Sequence, residues 1–182
     1  NVAHCNVVLR HSPTTLHDAA LAHVARHAAA GGGLCVVSYC DGKATLLGYL
    51  LQAGVHIRRY LSVECDAHCN RLARTLYGSA CEGLEPSALR FFGDARDLTV
   101  AKLKALDCHP VHLLASSTPC QDLSRCKDVH KTAEASGLEG EHSRLFVDFA
   151  SRLLPALRAD NRGVPLAVFA ENVIPAQRVH GS

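Results

Sequence analysis

The sequence predicts an α/β fold built on a mostly parallel, doubly wound sheet. Three observations carry that reading. From Leu34 onward, short β-branched or apolar runs alternate with stretches of helical periodicity, the pattern of successive βαβ units. The runs are apolar along most of their length, as strands covered by helices on both faces must be. Right-handed crossovers then leave few topologies open, and ligands of such sheets bind beyond the carboxyl ends of the strands.

The elements follow in order. Ser12 to Ala30 reads as a helix that Thr14 or Thr15 can cap, with Leu16, Ala20, His23, Val24 and His27 at helical spacing, and Gly31-Gly32-Gly33 ends it. The first strand is Leu34 to Tyr39, and Ala44 to Ala53 is its crossover helix, stopped by Gly54. Arg59 to Glu64 is the second strand, followed by a helix from Asp66 to Tyr77 that Gly78 should terminate. Leu89 to Phe92 is the third strand and Thr99 to Leu106 the next helix. Val111 to Ala115 is the fourth strand, and a polar loop runs from Ser116 to about Gly140. Glu141 to Ala159 is the last helix and Val164 to Ala170 the fifth strand. Residues 1–33 therefore read as a helix with a glycine-rich linker ahead of a domain over 34–182.

Composition narrows the class. With 182 residues, 48% of them apolar and 20% charged, the chain can form one domain with a proper core. No apolar run approaches the roughly 18 residues that a membrane-spanning helix needs, so no membrane partner is expected. A formal charge of +2 argues against attachment to nucleic acid by bulk electrostatics, though a local basic strip stays possible. Nine cysteines without a C-x-x-C pair read as reduced thiols of an intracellular protein. The chain starts at Asn1 and contains no Met, so it is expected to be a piece of something longer. No metal site is expected: His23 and His27 lie one helical turn apart without a third ligand, and nothing completes a tetrahedron around Cys65, His68 and Cys69.

The informative residues sit immediately after the strands. Cys40-Asp41-Gly42-Lys43-Ala44-Thr45 follows the first; its single glycine fits neither a dinucleotide fingerprint nor a P-loop. Glu64 closes the second, where a carboxylate can accept hydrogen bonds from ribose hydroxyls, although it or Asp66 could instead cap the next helix. Gly93-Asp94-Ala95 follows the third. One acidic strand end is ordinary; three in successive βα turns suggest an adenosyl pocket. Pro119-Cys120-Gln121 follows the fourth strand. A single cysteine is ordinarily a buried or bystander thiol, but this one opens a loop too polar for a core, where a thiol is poised as a nucleophile. Glu171-Asn172-Val173 delivers another carboxylate beyond the fifth. Arg125, Lys127 and Lys131 could track phosphates, with Asp122, Asp128 and Glu134 diluting them.

Taken together, Asp41-Gly42 with Ala44-Thr45, Glu64, Gly93-Asp94, Pro119-Cys120-Gln121 and Glu171-Asn172-Val173 resemble motifs one to six of the DNA cytosine-5 methyltransferases, most closely the animal de novo subfamily. That subfamily carries a G-R-L-F-F-E-F-x-R-L-L helix before its E-N-V strand. Here Ser143-Arg144-Leu145-Phe146-Val147-Asp148-Phe149 is followed by Arg152-Leu153-Leu154 one residue late. The resemblance covers about Leu34 to Val173.

What it implies is a Rossmann-like class I methyltransferase domain, nuclear if eukaryotic, using S-adenosylmethionine on cytosine of duplex DNA. Cys120 would add to cytosine carbon-6 and Glu171 would serve the ring at nitrogen-3, with Asn172 holding that carboxyl. Asp41, Gly42 and Thr45 would line the methionine side of the cofactor, Glu64 would take the ribose and Asp94 the adenine amine. Cys40, Cys65, Ala95 and Pro119 complete the expected cofactor set. Cys40 stands where the family usually has phenylalanine, Lys43 replaces an apolar residue, and Ser116-Ser117 replace two glycines. The later arginine motif, the target-recognition region and the terminal cofactor motif are missing, so the domain is expected to be incomplete. Two other readings stay open: the same chemistry on tRNA, and a non-catalytic partner that joins an active methyltransferase, or another copy, through the helix near Arg144 to Leu154.

Overall fold

In the computed structural model, Val24 and residues 26–82, 88–119 and 140–172 are described, with 78–82 described by backbone alone. Strands β1 (Leu34–Tyr39), β2 (Ile57–Val63), β3 (Leu89–Phe92), β4 (Leu113–Ser116) and β5 (Ala167–Ala170) form one sheet in the order β3-β2-β1-β4-β5, every pairing parallel. Helices α1 (Thr45–Gln52), α2 (Ala67–Glu82) and α3 (Val100–Ala105) make the crossovers. The last helix, α4, spans 143–160 as Ser143–Asp148, a π-helical turn Phe149–Leu153 and Leu154–Asp160. This is an α/β Rossmann-like arrangement. The chain winds outward from β1 to β3, then returns to lay β4 on the other side of β1, so the switch point lies between β1 and β4. No described helix is long and apolar enough to cross a membrane.

Side-chain alternation along β1 sorts the core into two faces. Cys35, Val37 and Tyr39, with Leu61 and Val63 of β2, pack against Leu98, Leu103, Phe149, Leu153 and Leu157. Leu34 and Val36, with Ile57 and Tyr60, pack against Leu47, Ala73, Val24 and Ala28 on the other side. Each fully buried Leu, Val or Phe contributes about 1.5–3 kcal/mol by leaving water, so both helical layers are held by the same strand.

Local chemistry explains the boundaries. Gly54, at φ 69°, closes α1: its N–H donates to Leu51 O and that of Val55 to Leu50 O, the double bond of a left-handed helix stop. Asp107 does the same for α3 at φ 56°, with Asp107 N–H on Lys104 O and Cys108 N–H on Leu103 O. That non-glycine position is steadied by Arg59, whose guanidinium donates to Asp107 Oδ2 at 2.6 Å. Gly48 of α1 has no room for a side chain, since a Cβ there would lie 2.6 Å from the Tyr77 hydroxyl of α2.

Five expectations are corrected. The helix after β2 runs through Gly78 to Glu82; a helical glycine costs only about 1 kcal/mol relative to alanine, which packing can offset. Strand β2 starts at Ile57 instead of Arg59, because a bulge at Arg58, opposite the step from Leu34 to Cys35, takes up one extra residue. Strand β4 starts at Leu113 because Val111 is paired off by a side chain: its N–H donates to Asn161 Oδ1 at 3.0 Å and its carbonyl accepts from Asn161 Nδ2 at 2.6 Å. Strand β5 starts at Ala167, since Val164 N–H turns back to Asn161 O. Finally, α4 is not uniformly α-helical. Its π turn takes up one extra residue, which keeps Leu145 before it, Phe149 and Leu153 at its two ends, and Leu154 and Leu157 after it in the same core. The late Arg152-Leu153-Leu154 noted in the sequence falls across and just beyond that turn.

Candidate functional site

The βα loops at the carboxyl edge of the sheet enclose two neighbouring cavities. The larger, about 600 Å³, lies over the ends of β2 and β3, between Cys40, Glu64, Asp94, Ala95 and Pro119 and the start of α4. The smaller, about 380 Å³, lies at the switch point, between Ser38, Cys40, Asp41, Gly42 and Thr45 on one side and Ala115, Ser117 and Phe169 on the other. Cys40 lines both. All nine residues expected around a cofactor fall on these walls: Asp41, Gly42 and Thr45 on the smaller, Glu64, Cys65, Asp94, Ala95 and Pro119 on the larger, Cys40 between them.

The first wall is a tight left-handed turn. Cys40, Gly42 and Ala44 have φ of 57°, 59° and 61°, and Ala44 N–H closes the turn on Asp41 O. The two non-glycine positions each cost on the order of 1 kcal/mol, and such strain persists only where the surroundings fix it. Here they do. Asp41 Oδ1 accepts from Ser38 Oγ at 2.5 Å and from the Tyr60 hydroxyl at 2.8 Å. Its other oxygen, Oδ2, is buried with no hydrogen-bond partner among the described residues. Burial raises the Asp41 carboxyl above the usual carboxylate range, against the pull of those hydroxyls.

Glu64 links two loops. Its Oε2 accepts from Gly42 N–H at 2.9 Å, while Oε1 accepts from Asp66 N–H at 2.8 Å. The helix cap is Asp66, whose Oδ1 takes the N–H groups of His68 and Cys69. Glu64 is thus left to shape the cavity, and a carboxylate with two bonds made still has lone pairs to offer. Asp94 caps the 3-10 turn Ala95–Asp97 through Arg96 N–H and is gripped by the Arg96 guanidinium. That side-chain grip, with the backbone bond, lowers the Asp94 carboxyl to about 2. Cys40 moves the other way. Burial, then the nearby carboxylates of Glu64 and Asp94, push its thiol up to about 12.

Beyond β5, Glu171 is exposed, and its N–H is bound to Ser116 O, which ties that strand end to β4. Asn172 Nδ2 donates to Thr118 Oγ1 at 3.2 Å, linking the loop after β5 to the one that carries Pro119. Neither residue is among those that line the two cavities. Cys120, Gln121, Arg125, Lys127, Lys131, Val173 and His23 lie outside the described residues. Sequence reading missed several wall residues. Arg96, Glu141, His142 and Leu145 line the larger cavity and Phe169 the smaller, while Tyr60 holds Asp41. Arg96 carried a local signal, two residues after an acidic turn residue, and Leu145 lies in the matched helix segment; the others reach the site through the fold.

The arrangement offers hydrogen-bond acceptors at three successive strand ends, on a crevice of the size that small-molecule ligands occupy. No family model matches the chain. Over 129 residues it is 28% identical to DNA (cytosine-5)-methyltransferase DRM2 of Oryza sativa subsp. japonica, a stretch covering 70% of this chain and 20% of that protein. The chain therefore spans about a fifth of the length of the relative it matches.

Proposed function

We propose that the chain is the cofactor-binding and catalytic part of an S-adenosylmethionine-dependent methyltransferase that acts on carbon-5 of cytosine in DNA. One observation carries the reading: Asp41, Glu64 and Asp94, from three successive strand ends, meet around one divided crevice. The similarity to a plant DNA cytosine-5 methyltransferase supports the choice of substrate.

The residues fit the cofactor. S-adenosylmethionine presents donors at its ammonium group, its ribose hydroxyls and its adenine amine, and the walls supply carboxylate acceptors from three successive strand ends. Asp41, on the wall of the smaller cavity, would face the ammonium end. Glu64 would take the ribose hydroxyls, and Asp94 the adenine amine. When bound, the cofactor supplies a methyl group on a positively charged sulfur. Cytosine carbon-5 is a weak nucleophile, so the chain's own residues must activate it. In this reading the Cys120 thiolate adds to carbon-6 of a base turned out of the duplex, which makes carbon-5 nucleophilic. Glu171 protonates or hydrogen-bonds ring nitrogen-3 and so relieves the charge that addition places on the ring. Asn172, tied to Thr118, would steady the strand end that carries Glu171. In a eukaryotic cell this activity belongs in the nucleus.

Calorimetry with S-adenosylmethionine tests the pocket. The chain should bind, and Glu64→Gln should weaken binding by about 1–3 kcal/mol, because a charge-assisted acceptor is lost with little change of shape. Unchanged affinity would remove Glu64 from the site. A labelled methyl donor offered duplex DNA or tRNA separates the two nucleic-acid substrates. Labelling of tRNA alone would overturn the DNA assignment.

A further inference from the structure

We propose that Arg152 is a positioning residue for the cofactor pocket: it holds, from behind, the turn that presents Asp94. The inference rests on the function proposed above and adds a residue to it.

A chain of contacts links Arg152 to both cavity walls. Arg152 Nε donates to Asp148 Oδ1 at 2.5 Å and Nη2 to Asp148 Oδ2 at 2.6 Å, a two-pronged pair on α4. Asp148 Oδ2 also accepts from the Tyr39 hydroxyl at 2.9 Å. Tyr39 is the last residue of β1, directly before Cys40 on the shared cavity wall. The guanidinium has donors left over, and they go to the other wall. Nη1 donates to Leu98 O at 2.5 Å, and Nη2 lies 3.5 Å from Ala95 O. Ala95 opens the 3-10 turn that Asp94 caps, and Leu98 closes it. One part-buried side chain thus connects the end of β1 to both ends of the turn that carries Asp94.

The charge states agree with that geometry. Burial opposes ionisation of Asp148, but the bonds from Arg152 and Tyr39 hold its carboxyl below the ordinary range. Arg152 suits the task because a planar guanidinium can bind a carboxylate and two main-chain carbonyls at fixed angles. A lysine ammonium at that position keeps the charge and loses the fork.

Two measurements on the whole chain test this. Hydrogen exchange reports on the turn directly, through Asp97 N–H on Asp94 O and Leu98 N–H on Ala95 O. In Arg152→Lys these amides should exchange at least tenfold faster, while amides of the β1 and β2 ladder stay as in the parent. Calorimetry then compares S-adenosylhomocysteine with its inosine analogue, which lacks the amine assigned to Asp94. The parent should prefer the adenosine form, and Arg152→Lys should narrow that ratio by about threefold or more; a purely structural role would weaken both ligands alike. Should Arg152→Lys fail to fold, Asp148→Asn loosens the same pair with little change of shape and should give the same two signatures. Unchanged exchange at Asp97 and Leu98 would overturn the positioning role even if the ligands bind. Faster exchange with no ligand bound by the parent would overturn the function on which the role depends. Faster exchange with an unaltered ratio would overturn the link to Asp94.

Discussion

At the scale of single residues, protonation separates what a side chain can do from what its type suggests. Cys40 is only half-buried and lines both cavities, so it looks reactive. Its thiol is nevertheless pushed up to about 12 by burial and by Glu64 and Asp94. Since the thiolate is the nucleophile, iodoacetamide at pH 7.5 should label Cys40 slowly, and mass mapping at rising pH should show labelling take off only well above pH 9. Labelling at neutral pH at the rate of a free peptide thiol would contradict this. His112 gives a pH signature of the opposite kind. It is buried, and its Nδ1 accepts from Cys35 N–H at 3.0 Å, so the fold needs the neutral ring. Burial and the nearby Arg58 charge lower its pKa in the folded state. The unfolded chain takes up that proton near pH 6.5, and the native chain resists it. The contribution is therefore complete above about pH 6.5 and declines as the pH falls below it. Melting temperature should drop between pH 7 and pH 5, and less steeply in His112→Asn, which keeps an acceptor for Cys35. Equal slopes in the two proteins would assign the acid sensitivity elsewhere.

Among elements, α4 shows how a local irregularity preserves a global pattern. An extra residue in a helix rotates everything after it by about 100°, which would carry Leu154 and Leu157 off the sheet. The π turn Phe149–Leu153 absorbs the residue and leaves both apolar stretches facing the core. Removing Ala150, which lies inside the turn, should let the helix become continuous and change stability by less than about 1–2 kcal/mol. Removing Ala156, beyond it, should rotate Leu157 away from its buried site at a cost of about 2–5 kcal/mol. Chemical denaturation of the two deletions decides the matter, and equal losses would contradict the account. The irregularity had a trace in the sequence, since Arg152-Leu153-Leu154 comes one residue late. A spacing rule alone cannot say whether a helix bulges, breaks or shifts. Gly78 is the converse case, a local stop signal overridden where the helix continues to Glu82. Strands β1 and β2 were legible because most of their residues are apolar and buried, Ser38, Ser62 and the two arginines of β2 apart. The first residues of β4 were not, because the partner of Val111 is a side chain 50 residues away.

For the molecule as a whole, topology does what the sequence pattern promised. Parallel winding brings every strand's carboxyl end to one edge, so Asp41, Glu64 and Asp94, separate in the chain, line two adjoining cavities there. That convergence followed from strand order alone. Glu64 bracing the turn at Gly42, Arg96 gripping Asp94, and Arg152 reaching across to Ala95 and Leu98 did not, because each depends on where long side chains end in space. Methyl transfer to cytosine through a thiol adduct leaves a species that can be trapped. Duplex DNA carrying 5-fluorocytosine blocks the last step, since fluorine cannot leave carbon-5 as a proton does. The protein as its gene encodes it should form a covalent complex with that DNA only when S-adenosylmethionine is present. The complex should vanish in Cys120→Ser and persist in Cys126→Ser, six residues further along the sequence. A Cys120→Ser protein that still forms the complex, or that methylates ordinary DNA at the parental rate, would contradict the mechanism.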